Sequence, residues 1–208
     1  MRELTGSEAA LRLYHLAGNE DAAEGLHLKN ADLTGEELEH LTARGCVFEG
    51  CRFLNADLSK AAFTDCVLKQ CDFSGARLLE SYFARCSLQS CKALGANFAE
   101  ARLFDVQLAD CLMRYVCFDR TKWDRAAVLR SCLAEGMLTD STLKRVTFAE
   151  ADLSRTNLHG TLLKGLDLRG CVLTGTSYGP DCRELRGAVV DTLQAADLAR
   201  LLGVVVRD

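Results

Sequence analysis

From Phe48 to Tyr178 every fifth residue is apolar, beginning Phe48, Phe53, Leu58, Phe63, Leu68 and ending Leu168, Leu173, Tyr178, with no exception and no slip of phase. Two residues earlier in each unit, from Cys46 to Thr176, stands a small residue (Ala, Cys, Ser, Thr, Val or Gly) at every step but Leu166. An amphipathic helix repeats at 3.6 residues and a strand at 2, so neither produces a strict five. One large and one small inward residue per unit instead suits a solenoid whose short extended segments turn a corner every five residues. The unbroken phase leaves no room for a loop within residues 46–180.

The cysteines say how many corners close one coil. The chain has eleven, and eight occupy the small inward position. Cys46, Cys66 and Cys86 form one series at spacing twenty; Cys51, Cys71, Cys91, Cys111 and Cys171 form another. A fifteen-residue coil would scatter these eight over all three of its sides. Twenty residues, hence four sides, concentrates them on two. No secretory leader is evident at the N-terminus, which implies a reducing, cytoplasmic setting where such thiols act as small buried hydrophobes. Stacked pairs such as Cys51 and Cys71 would still approach the Cα separation of a disulfide.

The units Ala56-Asp57-Leu58, Ala96-Asn97-Phe98, Ala151-Asp152-Leu153, Thr156-Asn157-Leu158 and Cys71-Asp72-Phe73 resemble those of the pentapeptide-repeat family. The resemblance covers about two thirds of the chain. It implies an all-β solenoid, a right-handed quadrilateral β-helix, with short helical caps at both ends. At a strand spacing of about 4.8 Å, residues 46–180 would build a rod of roughly 32 Å. Phe53, Phe73, Ala93, Met113 and Leu133 should stack along one side without a void, and the indole N–H of Trp123 needs a buried acceptor. Gly160, Gly165, Gly170 and Gly175 fall at successive corners, where positive φ is expected.

Three regions follow: residues 1–45 as a helical N-terminal cap with early repeat-like strands, 46–180 as the β-helix, and 181–208 as a C-terminal helix and strand. In the first, Ser7 is placed to cap a helix ending at Gly18, and Thr34 with Glu37 suggests a second short helix ending near Gly45. Leu28 and Leu33 already keep the repeat phase. In the third, Asp191 and Gln194 open a helix over Thr192 to Leu202, and Val204 to Val206 suggest a strand. Leu193, Leu198, Leu201, Leu202, Val204 and Val206 offer more apolar surface than one coil end requires, which predicts a tail-to-tail homodimer. The segment from Leu185 to Val206 also looks like the tail of Qnr-type and MfpA-type topoisomerase-binding members of the family.

The chemistry-bearing residues are poorly placed for catalysis. The Cys-x4-Cys pairs exceed the usual spacing of structural zinc ligands and face inward, so neither metal nor cofactor is expected. The four histidines are scattered, and no nucleophilic triad, paired carboxylates or phosphate-cradling glycine motif recurs on one face. No enzymatic activity is expected, and the outer surface is left to carry function.

Sorted by side, that surface is charged unevenly. The side centred on Phe63, Phe83, Leu103, Trp123, Leu143 and Leu163 carries Arg85, Arg102, Lys122, Arg125, Lys144, Arg145 and Lys164 against Asp65, Asp105 and Asp124. Its neighbour carries Asp57, Glu80, Glu100, Asp119 and Asp140 against Lys60, Arg77 and Arg120. Leu112, Tyr115 and Met137, with Cys117 and Cys132, form an outward apolar cluster in register. Qnr-type relatives imply DNA gyrase or topoisomerase IV as partner, met through an acidic DNA-like surface, with an effect on quinolone susceptibility. The acidic side and the apolar cluster are the expected contact residues. Residues 46–180 carry seventeen basic and fifteen acidic side chains, which weakens DNA mimicry. The net charge of −4 gives no reason to expect a general nucleic-acid binder, and no apolar run is long enough to span a membrane. An unrelated protein partner is the alternative, and an anion or nucleic acid on the basic side is another.

Overall fold

The computed structural model describes residues 2–19 and 21–207. The chain winds into a parallel β-solenoid of about seven turns with two short helices. Each residue pairs with the one twenty further on: Leu28 with Phe48, Phe48 with Leu68, Leu68 with Leu88, Leu88 with Leu108 and Leu108 with Val128. The four-sided coil deduced from the cysteines is therefore the observed one. Of the apolar five-spaced series, Leu143 and Tyr178 are half-buried and the rest are buried.

Aromatic rings fill the axis, with Phe53 on Phe73 at 4.8 Å and nearly parallel, and Phe63 on Phe83 at 4.9 Å. Trp123 meets Phe118 edge-on, and its indole N–H donates to Thr121 Oγ1 at 2.8 Å. The core is not quite void-free. A gap too small for water opens beside Met113, the residue stacked above Ala93, among Phe83, Leu88, Phe98 and Phe118.

Every fifth residue from Gly25 to Gly175 has positive φ, and most of these are not glycine. The four glycines of the last coil behave as expected, at +72° to +79°. Elsewhere asparagine, aspartate, glutamate, lysine, arginine and even Tyr115 take the left-handed conformation. That conformation costs an L-residue about 1–2 kcal/mol, so stacking of each coil on its neighbours must offset it.

The thiols expected inside are there, all free. Seven of the eight inward cysteines, all but Cys171, donate to a carbonyl of the coil below, as Cys51 does to Leu28 O at 3.3 Å and Cys91 to Leu68 O at 3.4 Å. Toward the C-terminus hydroxyls take over the same position: Thr121, Ser131, Ser141, Thr156, Thr161 and Thr176 are buried there.

Both ends differ from the sequence expectation. The strand β1 (Arg2–Thr5) precedes helix α1 (Gly6–Gly18) and pairs with Leu26–Lys29, so it supplies an extra edge to the first coil. Thr5, not Ser7, holds the N-cap position, and its side chain makes no cap hydrogen bond. The second helix over 34–45 does not form. Leu33, Leu38 and Ala43 point inward, Gly35 and His40 turn corners, and Asp32 and Glu37 bridge to Arg52 and Asp57 one coil on. Coil stacking outweighs the local capping signal, and Thr34 N–H donates to Asp32 instead. The solenoid thus starts near Ala22, about one coil before residue 46.

At the other end, Leu163, Gly165 and Leu168 donate their N–H groups to Glu184, Gly187 and Val189, so residues 184–189 overlie the last coil. Helix α2 (Thr192–Leu201) begins with the expected capping box of Asp191 and Gln194. Gln194 Nε2 also donates to the carbonyls of Leu168 and Cys171. Val204 to Val206 form no strand; the edge they would need is already taken by residues 184–189.

Candidate functional site

A filled rod offers its outside, so the site is built from outward positions on stacked coils. Asp57, Arg77, Asn97, Cys117 and Met137 follow one another up a single column, paired step by step. Glu80, Glu100 and Asp140 are left-handed corner residues at the edge of the same face, and Asp119 follows the buried Phe118 on it. On the adjoining face Leu112 pairs with Cys132, and Tyr115 turns the corner between the two faces. The acidic and apolar candidates therefore share two adjoining faces, with Asp119 and Asp140 on the same coils as the apolar cluster and Asp57 four coil steps below Met137. Leu112, Tyr115 and Met137 are all exposed, whereas Cys117 and Cys132 are half-buried. The Arg114 guanidinium lies 5.1 Å from the Tyr115 ring centroid and is also paired with Glu135.

The acidic stripe is largely neutralised. Arg77 approaches Asp57 at 3.4 Å, and Arg120 reaches both Glu100 at 3.0 Å and Asp119 at 2.7 Å. Burial pushes the Asp57 carboxyl up, but donors from Ser59 and the Arg77 charge outweigh it and hold the group below the usual carboxylate range. Among the described residues only Glu80 and Asp140 of the five lack an ion pair. The same device recurs along the rod: Asp32 with Arg52, Asp65 with Arg85, Asp105 with Arg125, Asp110 with Arg130. Each carboxylate meets an arginine twenty residues later, one coil up. Summing charges by side misses this ladder, although spacing twenty in the sequence already contains it.

The eight inward thiols are buried, and Cys117, Cys132 and Cys182 are half-buried. The Cys46 thiol is pushed up by its contact with the Cys66 thiol and then by burial; burial likewise raises Cys171. No cluster of three or more His, Cys, Asp or Glu suited to a metal ion occurs among the described residues.

At the C-terminal end α2 has no buried residue, and Leu193, Leu201, Leu202, Val204 and Val206 are exposed while Leu198 is half-buried. A groove of about 240 Å³ runs between the helix and the last coil, lined by Cys171, Leu173, Thr176, Leu193, Leu198 and Leu201 among others. A residue the sequence did not single out, Glu184, is fully buried here and accepts the N–H of Gly160 at 2.8 Å. In the sequence it is one acid among several in the tail, and only the fold turns it inward.

The comparisons agree with this architecture. Three family models match: a pentapeptide repeat region at residues 61–138, pentapeptide repeats (9 copies) at 26–92 and pentapeptide repeats (8 copies) at 138–177. The match beginning at residue 26 agrees with the early start of the coils. Among solved structures, full-length QnrB1, a plasmid-mediated fluoroquinolone resistance protein, is 20% identical with a TM-score of 0.53, covering 98% of this chain and 95% of that one. HetL, a pentapeptide repeat protein involved in heterocyst differentiation regulation in the cyanobacterium Nostoc, is also 20% identical, with a TM-score of 0.35 and coverage of 90% and 86%. No curated protein sequence matches the chain. Among the described residues no helix is long and apolar enough to cross a membrane.

Proposed function

Since the chain belongs to the pentapeptide-repeat family, we propose that it is a non-enzymatic, cytoplasmic interaction rod that binds DNA gyrase or topoisomerase IV and modulates quinolone susceptibility. The observation that carries this reading is the convergence of Leu112, Tyr115 and Met137 with Asp119 and Asp140 on two adjoining faces of one rigid surface. Exposed apolar side chains gathered in register, rimmed by charge, are the ordinary anatomy of a protein contact. QnrB1, whose fold the chain shares, is a plasmid-mediated fluoroquinolone resistance protein, which supports the quinolone part of the reading. The ion-pair ladder argues against a field-driven mimicry of DNA and favours contact through shape and the apolar cluster.

A tail-to-tail homodimer belongs to the same reading. The leucines of α2 and the valines after it would bury their exposed faces against a second copy, doubling the length of the rod.

Supercoiling by purified gyrase, with and without ciprofloxacin, tests the partner. The protein should protect or inhibit at micromolar concentration, and the double variant Tyr115→Glu, Met137→Glu should lose the effect. No effect of the unaltered protein would leave an interaction rod with an unrelated protein partner, the reading that the neutralised acidic side favours. Light scattering tests the dimer: Leu193→Glu with Leu202→Glu should halve the mass, and an unchanged mass would move the interface elsewhere.

A further inference from the structure

The opposite charge pattern occurs on the side centred on Leu103, Trp123 and Leu143. Two outward columns run along it in register, one of Tyr82, Arg102, Lys122 and Thr142, the other of Ala84, Phe104, Asp124 and Lys144. An open groove of about 400 Å³ lies on these residues. The acids of this side are already engaged: Asp65 by Arg85 at 2.5 Å, Asp105 by Arg125 at 2.5 Å, and Asp124 by Arg145 at 2.6 Å. Arg102, Lys122, Lys144 and Lys164 have no ion-pair partner among the described residues.

Elsewhere on the rod most arginines find a carboxylate one coil below, as Arg52, Arg77 and Arg130 do. Here Lys122 is stacked directly on Arg102, and Arg102 on Tyr82. Like charges placed opposite each other destabilise a sheet, so this arrangement is a cost the ladder elsewhere avoids. One coil past Lys144 a second groove of about 460 Å³ is lined by Leu162, Lys164, Arg183, Arg186 and Gly187. The unneutralised strip thus runs from Arg102 past Lys164 to the C-terminal end, about 14 Å over the first three coil steps.

The strip also presents aromatic surface. The Tyr82 ring is exposed at its lower end. Phe104 lies in the groove, and the Arg125 guanidinium already rests on its face at 4.0 Å from the centroid. An acidic peptide would use the cations alone. Single-stranded nucleic acid uses both, with phosphates on a basic track and bases on aromatic faces. We propose that this side binds single-stranded nucleic acid, with phosphates on Arg102, Lys122, Lys144 and Lys164 and a base on Tyr82. The site lies on a different face from the apolar cluster, with Glu80, Glu100 and Asp140 at the corner between this side and the acidic one.

Fluorescence anisotropy of a labelled oligothymidylate with the full chain tests it. Binding should weaken with salt at a logarithmic slope of about −3 if four phosphates are neutralised, since each contributes about 0.7 for a single strand. Lys122→Gln should reduce that slope by about 0.7. Tyr82→Ala should weaken binding about five-fold or more with the slope unchanged. Lys60→Gln, on the neighbouring acidic side, should change neither. These side chains are exposed, and an unchanged melting curve confirms that each variant keeps its fold. The proposal fails if the oligonucleotide does not bind at low salt, or if Lys60→Gln is as harmful as Lys122→Gln. It also fails if Tyr82→Ala is silent and polyglutamate displaces the oligonucleotide charge for charge, which would assign the strip to an acidic protein.

Discussion

Replacing Thr121 with valine tests how the rod accommodates its largest inward side chain. Thr121 Oγ1 accepts the indole N–H of Trp123 at 2.8 Å, contacts Ser141 Oγ at 2.8 Å and donates to Phe118 O at 2.9 Å. Valine matches the shape and removes the oxygen. Phe118 O keeps the hydroxyl of Ser141 at 2.8 Å, and the Thr121 N–H keeps Ser141 Oγ at 2.9 Å. The indole N–H, on a residue 1% exposed, is left without an acceptor. A buried donor stranded in this way costs about 1–3 kcal/mol. For a chain of this size that corresponds to a fall in melting temperature of roughly 2–12 °C. Trp123 is the sole tryptophan, so urea unfolding followed by its fluorescence reads the change at its source. Thr121→Ser keeps the acceptor and should lose less. The account is refuted if Thr121→Val is no more destabilising than Thr121→Ser.

Two further outcomes follow from the coil geometry. Gly165→Ala should cost about 1–2 kcal/mol in urea unfolding through its left-handed backbone alone, since the added Cβ would meet nothing within 4 Å; a neutral result would mean that the corner relaxes. Titration of native thiols with a disulfide reagent should show Cys117, Cys132 and Cys182 reacting quickly and the eight inward cysteines only on unfolding. Rapid reaction of all eleven would mean that the coils open readily.

The sequence showed most of the rod because its periodicity is a direct image of the coil: five residues per side and twenty per turn fix which side chains face in. Phase identified Phe53, Trp123 and the inward thiols without any structure. It failed where a local signal competed with stacking. Thr34 and Glu37 resemble a helix start, but in a chain whose next coil supplies a pairing edge, Asp32 and Glu37 become strand residues. The left-handed corners were visible only at the four glycines, because nothing in Tyr115 or Arg130 alone announces positive φ. The surface was half legible. Leu112, Tyr115 and Met137 were found from register, but counting charges side by side concealed that Asp57, Glu100 and Asp119 are each held by an arginine. Glu184 could not be found, since its burial depends on how the tail crosses the last coil.

The ion-pair ladder gives the molecule a direction. In most cross-coil pairs the carboxylate lies nearer the first turn and the cation one step further on; Arg114 with Glu135, and Lys29 and His27 with Glu49, are the reverse. Each pair of the commoner sense points its negative end toward the first turn. Residues 1–45 hold nine acidic and four basic side chains, against fifteen acidic and seventeen basic over residues 46–180. The first coils are therefore the acidic end of the rod, and a charged partner approaching from solution meets that asymmetry before it meets any single residue.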